Sequence, residues 1–220
     1  MNPALRIDLF FDFICPWCLI GKRQLERALP QLRASQPELE VELVWHGVQL
    51  LPELPVQGVP FAEFYRQRLG SEQAVRLRQA QVQQAAAAAG VDIALAAIAR
   101  MPNTADAHRL LACAANLGTA AQRDALLERL FAAYFQRGED LGDGATLLAI
   151  AASCGFEPVQ LATSLRGDAS PFVGADAGMG AHGVPYFVFD RRLAVAGAQP
   201  AEVLLGAMAE ALARSAGQPA

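Results

Sequence analysis

The chain has 220 residues, of which 53% are hydrophobic, and this is enough for a sizeable core in one large domain or one domain with an insertion. Its net charge of −4 and the absence of any basic tract argue against nucleic acid as a partner. No apolar run reaches transmembrane length, which argues against a membrane protein.

The first three elements predicted along the chain are a strand, a helix and a second strand. Residues 5–13 are apolar and aromatic, as in a buried strand. Residues 16–35 have the spacing of an amphipathic helix, which Pro30 should kink or end. Residues 40–49 alternate between polar and apolar, which predicts a strand. Together they predict a βαβ unit with a right-handed crossover.

The middle of the chain is predicted to be helical. A proline-rich loop over residues 51–60 precedes a long region in which we expect no strand. Asn103 or Thr104 is suited to cap one of its helices. Helical periodicity covers 61–69, 71–89, 104–117, 120–136, 143–153 and 157–165.

The last part of the chain predicts a β-hairpin and a final helix. Two short strands, 186–190 and 193–197, are joined by a tight turn. A helix over 201–214 follows Pro200. Residues 171–180 are expected to form a helix or turn before the hairpin.

A Cys-Pro-Trp-Cys motif, residues 15–18, stands between the first strand and the first helix, which is the arrangement of a thioredoxin-like redox site. Pro16 suits the first helical position, where its missing N–H costs nothing. Spacing i, i+3 places both sulfurs on one face of the first turn, close enough to bridge. The helix dipole favours a thiolate at Cys15, so we expect Cys15 to be exposed and reactive and Cys18 to be buried.

Two other roles for the cysteine pair are less well supported. A structural zinc site would need two more ligands, and the remaining cysteines, Cys113 and Cys154, are isolated, so we expect no metal. The histidines are equally scattered, at His46, His108 and His182. Two inert core thiols would not need Pro-Trp between them.

The N-terminal residues contain no secretory signal pattern, so we expect a cytoplasmic protein. Structural disulfides are rare in the cytoplasm. A CxxC motif in that compartment is therefore expected to be catalytic.

Three sequence blocks resemble the DsbA-like branch of the thioredoxin superfamily, and most closely its cytosolic FrnE-like group. These blocks are residues 12–22, residues 101–104 with 108–110, and residues 183–190 with 197–200. The resemblance implies an α/β thioredoxin-like fold, βαβ…ββα, interrupted by an all-helical domain. The expected domains are 1–55 plus 171–220, which is thioredoxin-like, and 56–170, which is the helical insertion.

The same resemblance implies a thiol–disulfide oxidoreductase. Cys15 would exchange with protein or small-thiol substrates through a mixed disulfide, which Cys18 would resolve. No cofactor is expected, and glutathione is a candidate co-substrate. The alternative is a glutathione-dependent transferase or isomerase, of the kappa-class or 2-hydroxychromene-2-carboxylate isomerase type. Those enzymes share the architecture but normally lack the complete cysteine pair.

A cis peptide bond before one proline is also implied, and two Gly-Val-Pro triplets compete for it. Pro60 precedes a helical segment, whereas Pro185 precedes a strand that the fold places beside the first one. We therefore predict a cis Val184–Pro185 bond and a trans Val59–Pro60 bond. The backbone of Val184 would then be free to pair with an extended substrate.

Two positions near the motif depart from the family pattern. Leu9 stands where thioredoxins usually carry a buried acid, and the nearest carboxylate is Asp12, which would either relay protons to Cys18 or orient the loop. Trp17 stands where the strong periplasmic oxidant has a histidine, so we expect a less oxidising disulfide. Pro16, Trp17, Val184 and Pro185 are the expected substrate-binding residues.

Overall fold

Strand β1 (Ala4–Phe11) lies inside a four-stranded sheet of order β2-β1-β5-β6 in the computed structural model, which describes residues 4–174 and 183–216. Strand β2 (Glu40–Gly47) pairs with β1 in parallel. Strand β5 (Tyr186–Phe189) pairs with β1 antiparallel, and β6 (Leu193–Ala196) pairs with β5 antiparallel. Four of the last five side chains of β1 are less than 4% exposed, which explains its apolar sequence: Ile7, Leu9, Phe10 and Phe11. Asp8 is the polar exception and is 6% exposed.

Helix α1 (Pro16–Ser35) connects β1 to β2 and packs against the last helix, α8 (Ala201–Ala216). The predicted bounds of α1 are confirmed, but the helix does not end at Pro30. Leu29 and Leu32 are buried on either side of Pro30, so packing of the apolar face outweighs the one backbone hydrogen bond that proline removes.

The hairpin of β5 and β6 turns at Asp190 and Arg191. Both residues have positive φ, 48° and 57°, and the N–H of Arg192 donates to the carbonyl of Phe189 at 3.0 Å. Two successive positive φ values match the primed turns that join twisted antiparallel strands. The Asp190 carboxylate also accepts the N–H of Arg6 at 2.9 Å, which ties the turn to β1.

Contacts divide the chain into two compact units. The described residues of the first fall within 1–48, 89–91 and 174–220, and those of the second within 49–88 and 92–173. The predicted ranges placed the boundaries at residues 55 and 170 and kept 89–91 in the insertion. Those domain ranges stay a prediction.

The second unit contains six helices among its described residues. They are α2 (Phe61–Leu69), α3 (Glu72–Ala88), α4 (Ala105–Leu117), α5 (Ala120–Arg137), α6 (Gly144–Ser153) and α7 (Pro158–Ala162). A single 3₁₀ turn covers Leu95–Ala97. Five helices match their predicted positions within one residue at each end, and α7 ends three residues early.

The expectation of no strand in this region was wrong. Strand β3 (Val59–Pro60) pairs antiparallel with β4 (Arg100–Met101). Two-residue strands have no period to detect, so only the folded chain shows them. At the start of α4, the side chain of Asn103 accepts the N–H of Ala105 at 3.0 Å.

Residues 171–174 have no regular secondary structure, and the rest of the predicted 171–180 element lies outside the described residues. Over residues 4–174 and 183–216, no helix combines the length and the apolar character that crossing a membrane requires.

Candidate dithiol site

The Cys-Pro-Trp-Cys motif forms the turn that carries the chain from β1 into α1. The N–H of Cys15 donates to the carbonyl of Asp12 at 3.1 Å, and the N–H of Cys18 donates to the carbonyl of Cys15 at 3.0 Å. Cys15 is the N-cap residue of α1, with extended backbone at φ −89° and ψ 108°. Pro16 takes the first helical position, as its sequence predicts. The sulfur of Cys15 therefore lies at the positive end of a 20-residue helix, where negative charge is stabilised.

Both cysteines of the motif are buried thiols. Cys15 is 7% exposed and Cys18 is 0% exposed. Burial of Cys18 was expected, but the expected exposure of Cys15 was wrong. The loop before β5 accounts for the difference, because the carbonyl oxygen of Val184 lies 3.8 Å from the Cys15 sulfur and accepts its S–H.

The surroundings of Cys18 hold it in the protonated form. Burial raises the pKa of the Cys18 thiol well above its usual range, and the neighbouring Cys15 thiol raises it further. A hydrogen bond with the backbone of Asp12 opposes this shift in the pKa, but it is the smaller effect. Cys18 is therefore a thiol at neutral pH until something removes its proton.

Asp12 is a buried carboxylate in the same turn. Its side chain is 0% exposed, and its negative charge contributes to raising the pKa of Cys18. Leu9, at the position where the resemblance leads one to look for an acid, is 1% exposed. The buried acid nearest to the motif in sequence is thus three residues before Cys15.

The loop that ends in Pro185 faces the same turn. The Val184–Pro185 bond is cis, as predicted, and it is the one cis bond among the described residues, so Val59–Pro60 is not cis. A Cβ atom on Gly21 of α1 would lie 3.0 Å from the Pro185 ring, which shows how closely the ring packs on the helix. Strand pairing of Phe10 with Tyr186 sets this position.

The other predicted substrate-binding residues lie at the surface of the site. Pro16 and Trp17 are half-buried in the first turn of α1, and Val184 is half-buried in the facing loop. Cys15, Pro16, Trp17, Val184 and Pro185 are therefore gathered in one place. Their role in binding substrate stays a prediction.

The histidines and the remaining cysteines have other surroundings. His108 is 2% exposed and stacks on the ring of Phe172, with 5.1 Å between ring centroids. His182 lies outside the described residues. Cys113 on α4 and Cys154, which follows the last residue of α6, are half-buried free thiols of the second unit, and neither is bonded to another cysteine.

A buried ionic network on β1 was missed by the sequence reasoning. The carboxylate of Asp8 binds the Arg6 guanidinium at 2.7 Å and His46 Nε2 at 2.7 Å. Burial opposes ionisation of Asp8, but hydrogen bonds from Arg6 and His46 outweigh it and lower the pKa of Asp8 below its usual value. An aspartate inside an apolar strand was the available signal, but its partner His46 is 38 residues away.

Arg109, in the second of the three resembling blocks, has a structural role. Its side chain is 9% exposed and forms an ion pair with Asp106 at 2.6 Å. It also donates to the hydroxyl of Ser170 and the carbonyl of Pro171, both at 3.1 Å. Arg109 thus fastens residues 170–171 to α4 within the second unit.

Metal ligands do not cluster in the part of the chain that the structure describes. No group of three or more His, Cys, Asp or Glu side chains there is arranged to hold an ion. The chemistry available at the site is that of the two thiols.

A comparison with known protein families shows to which family the chain belongs. The sequence model described as the DSBA-like thioredoxin domain matches residues 6–209. The chain belongs to the DSBA-like thioredoxin family. The architecture expected of that family, a thioredoxin-like βαβ…ββα fold interrupted by a helical region, is confirmed by the sheet order and the helices of the second unit.

Solved structures of other DSBA-like proteins and their fold relatives resemble this one. A probable DsbA oxidoreductase from Streptomyces coelicolor is 29% identical, with a TM-score of 0.79 over 98% of this chain and 92% of that one. A 2-hydroxychromene-2-carboxylate isomerase is 13% identical, with a TM-score of 0.63 over 98% and 100% of the two chains. The cytosolic disulfide reductase DsbM from Pseudomonas aeruginosa, with GSH, is 19% identical, with a TM-score of 0.51 over 96% and 97%. The last two likenesses show the DSBA-like fold alone. A search of curated proteins found no match.

Proposed function

We propose that this DSBA-like protein is a thiol–disulfide oxidoreductase whose Cys15–Cys18 dithiol exchanges with disulfide substrates through a mixed disulfide. The position of the Cys15 sulfur carries the proposal. Cys15 is the N-cap residue of α1, its sulfur lies 3.8 Å from the carbonyl oxygen of Val184, and Cys18 is fully buried in the first turn of the same helix. A nucleophile at a helix N-terminus, beside a resolving thiol that is buried more deeply, is the arrangement that two-step exchange requires.

The reaction in the reducing direction has two steps. The Cys15 thiolate attacks one sulfur of the substrate disulfide, forms a bond to it and expels the other sulfur as a thiolate. Cys18 then loses its proton and attacks the Cys15 sulfur, which closes the Cys15–Cys18 disulfide and expels the second substrate sulfur as a thiolate. The released proton balances the charge of that thiolate. Two electrons pass from the dithiol to the substrate, and the same steps run backwards oxidise a substrate dithiol.

The loop and the first helical turn supply the binding surface in this proposal. The backbone of Val184 precedes β5 and offers main-chain hydrogen bonds to an extended substrate segment. Pro16, Trp17 and Pro185 border the Cys15 sulfur and give apolar contact area around it.

Glutathione is the small-thiol partner that we propose, with no metal or organic cofactor, because the dithiol itself carries the electrons. The likeness to DsbM, whose structure was determined with GSH, supports glutathione as a co-substrate. We also propose a cytoplasmic location and membership of the FrnE-like group. The first rests on the sequence and on the cytosolic character of DsbM, and the second on the three resembling sequence blocks.

The transferase or isomerase alternative shares the fold but has less support at the site. The two-step exchange proposed above uses an attacking thiol and a resolving thiol. Conjugation or isomerisation with glutathione does not use a resolving thiol of the protein. Both Cys15 and Cys18 are present, and Cys18 is fully buried directly behind Cys15.

Reduction of insulin disulfides by the protein, with reduced glutathione added to regenerate the dithiol, tests the proposal. Cys15→Ser should abolish turnover, whereas Cys113→Ser, which changes a half-buried cysteine of the second unit, should leave it unchanged. Turnover that persists in Cys15→Ser overturns the oxidoreductase proposal. If glutathione conjugation to an electrophile persists in the same variant, the transferase alternative takes its place.

A further inference from the structure

A cavity in the second unit contains charged groups that the proposed exchange reaction does not use. Its volume is about 560 Å³, which is within the range of cavities that bind small molecules. Three pieces of chain form its walls: α4, the segment 163–166 that follows α7, and residues 171–173. All of the lining residues belong to the second unit.

Hydrogen bonds to α4 hold the other two walls in place. The carboxylate of Asp106 accepts the backbone N–H groups of Arg166 at 3.0 Å and Gly167 at 2.8 Å. Arg109, one helical turn further along α4, donates to residues 170–171. The cavity is therefore formed before any ligand binds, and a preformed site spends less of its binding free energy on ordering.

Phe172 supplies part of an apolar side of the cavity. Its backbone N–H donates to the side-chain oxygen of Gln49 at 2.8 Å, and its ring stacks on His108 with 5.1 Å between ring centroids. Pro171 and Ala112 line the cavity together with this ring. The apolar part of a ligand can bury its surface against these three residues.

The two charged side chains that line the cavity are both arginines, Arg109 and Arg166. Arg109 is paired with Asp106, which balances its charge. The Arg166 guanidinium donates to the Ser170 hydroxyl at 3.2 Å, and it forms no ion pair in the part of the chain that the structure describes. Asp168 accepts a hydrogen bond from Ser170 and does not line the cavity. The cavity wall therefore carries a positive charge that no lining carboxylate balances.

We propose that this cavity binds a small organic anion, a carboxylate with an apolar body, with Arg166 as the anion-binding residue and Arg109 as the residue that positions the walls. A guanidinium group matches a carboxylate with two parallel hydrogen bonds. The hydroxyl of Thr163, which also lines the cavity, supplies a further donor. The apolar body of the ligand lies against Phe172 and Ala112.

Binding of three related probes to the full chain tests the proposal. Phenylacetate combines a carboxylate with an apolar ring, acetate has the carboxylate alone, and phenylacetamide has the ring without the charge. Two-dimensional NMR titration at low ionic strength, where exposed charges are least screened, measures the affinity of each probe. Phenylacetate should saturate the protein below about 10 mM, and each of the other probes should bind at least about tenfold more weakly.

The same titration shows where phenylacetate binds on the unaltered protein. The amide shifts that change most should belong to residues 109–112 and 163–173. Absence of saturable phenylacetate binding overturns the proposal, and so does equally tight binding of acetate or phenylacetamide. Shift changes that fall only outside these two ranges also overturn it.

Substitution of Arg166 tests the charged side of the cavity. Arg166→Gln removes the charge of an exposed side chain and should weaken phenylacetate binding roughly tenfold. Arg76→Gln is the matched control, because it removes an exposed arginine of α3 that does not line the cavity, and it should leave the affinity unchanged. Wild-type affinity in Arg166→Gln, or an equal loss in both variants, overturns the role of Arg166.

Substitution of Ala112 tests the apolar side. Ala112→Trp fills this side from an exposed position on α4 and should abolish saturable binding of phenylacetate. Ala87→Trp, at an exposed alanine of α3 outside the cavity, should bind as the wild type does. Urea unfolding of both variants shows whether they fold, and unchanged binding in a folded Ala112→Trp overturns the proposal. If Ala112→Trp does not fold, the shift map of the unaltered protein decides the location.

Discussion

The sulfur of Cys15 lies 3.8 Å from the carbonyl oxygen of Val184, although 169 residues separate the two in sequence. Antiparallel pairing of β1 with β5 brings them together, since Phe10 is opposite Tyr186 near the end of both strands. The carbonyl accepts the S–H of Cys15, which is the N-cap residue of α1. A substrate segment that replaces this carbonyl is therefore expected to meet the Cys15 sulfur at the N-terminus of the helix.

Alkylation should distinguish the two cysteines of the motif. Iodoacetamide is expected to modify Cys15 of the native reduced protein well before Cys18, because Cys18 is fully buried and its pKa is raised. Mass spectrometry of digests taken over time gives the order, and denatured protein, in which both should react alike, is the control. Faster modification of Cys18 in the native protein would contradict the assigned roles.

Gly21 is expected to tolerate no side chain, because of the Pro185 loop. A Cβ at this position would lie 3.0 Å from the Pro185 ring and 3.2 Å from Phe187, so Gly21→Ala should destabilise the protein by about 1–3 kcal/mol and slow exchange. A Cβ atom added at Gly206 in α8 would have no other atom within 4 Å, so Gly206→Ala should stabilise the folded protein by about 0.5–1 kcal/mol. Urea unfolding and insulin reduction measure both effects, and equal stability of the two variants would refute the close packing.

Asp8 is expected to make stability depend on pH in the acid range. Because its pKa is lower in the folded protein than the usual 3.8, its stabilisation is complete above the unfolded pKa. That stabilisation is lost as the pH falls below 3.8 towards the folded value. Asp8→Asn should cost roughly 1.5–3 kcal/mol at neutral pH, as expected for hydrogen bonds to a charged group.

Urea unfolding at several pH values checks this expectation. The difference between wild type and Asp8→Asn should shrink as the pH falls below 3.8. Asp124→Asn, which alters an exposed carboxylate, should show no comparable change. A constant difference across this range would show that Asp8 contributes by packing rather than by charge.

Arg109 is expected to stabilise the second unit. Arg109→Ala removes the partner of Asp106 and the donors to Ser170 and Pro171, so it should cost about 3 kcal/mol. Arg76→Ala breaks an exposed pair with Glu72, whose charged atoms are 3.7 Å apart, and should cost less than about 1 kcal/mol. Thermal unfolding compares the two, and similar losses would contradict the structural role of Arg109.

Local sequence determined the elements that depend on neighbouring residues. The bounds of α1, the proline at its first position and the placement of two cysteines on one turn follow from side-chain spacing and helix-end chemistry. The cis bond before Pro185 could not be predicted from residue spacing, and it was predicted from the family resemblance.

Only the tertiary structure decided which distant residues meet. Cys15 is 7% exposed because a loop from the far end of the chain lies against its sulfur. Asp8 has a second side-chain partner besides its near neighbour Arg6 because β2 places His46 beside it. The two-residue pair of β3 and β4 has no sequence period at all. These contacts depend on strand pairing and core packing between residues far apart in sequence. Local sequence patterns do not predict them, because such patterns reflect only interactions between neighbouring residues.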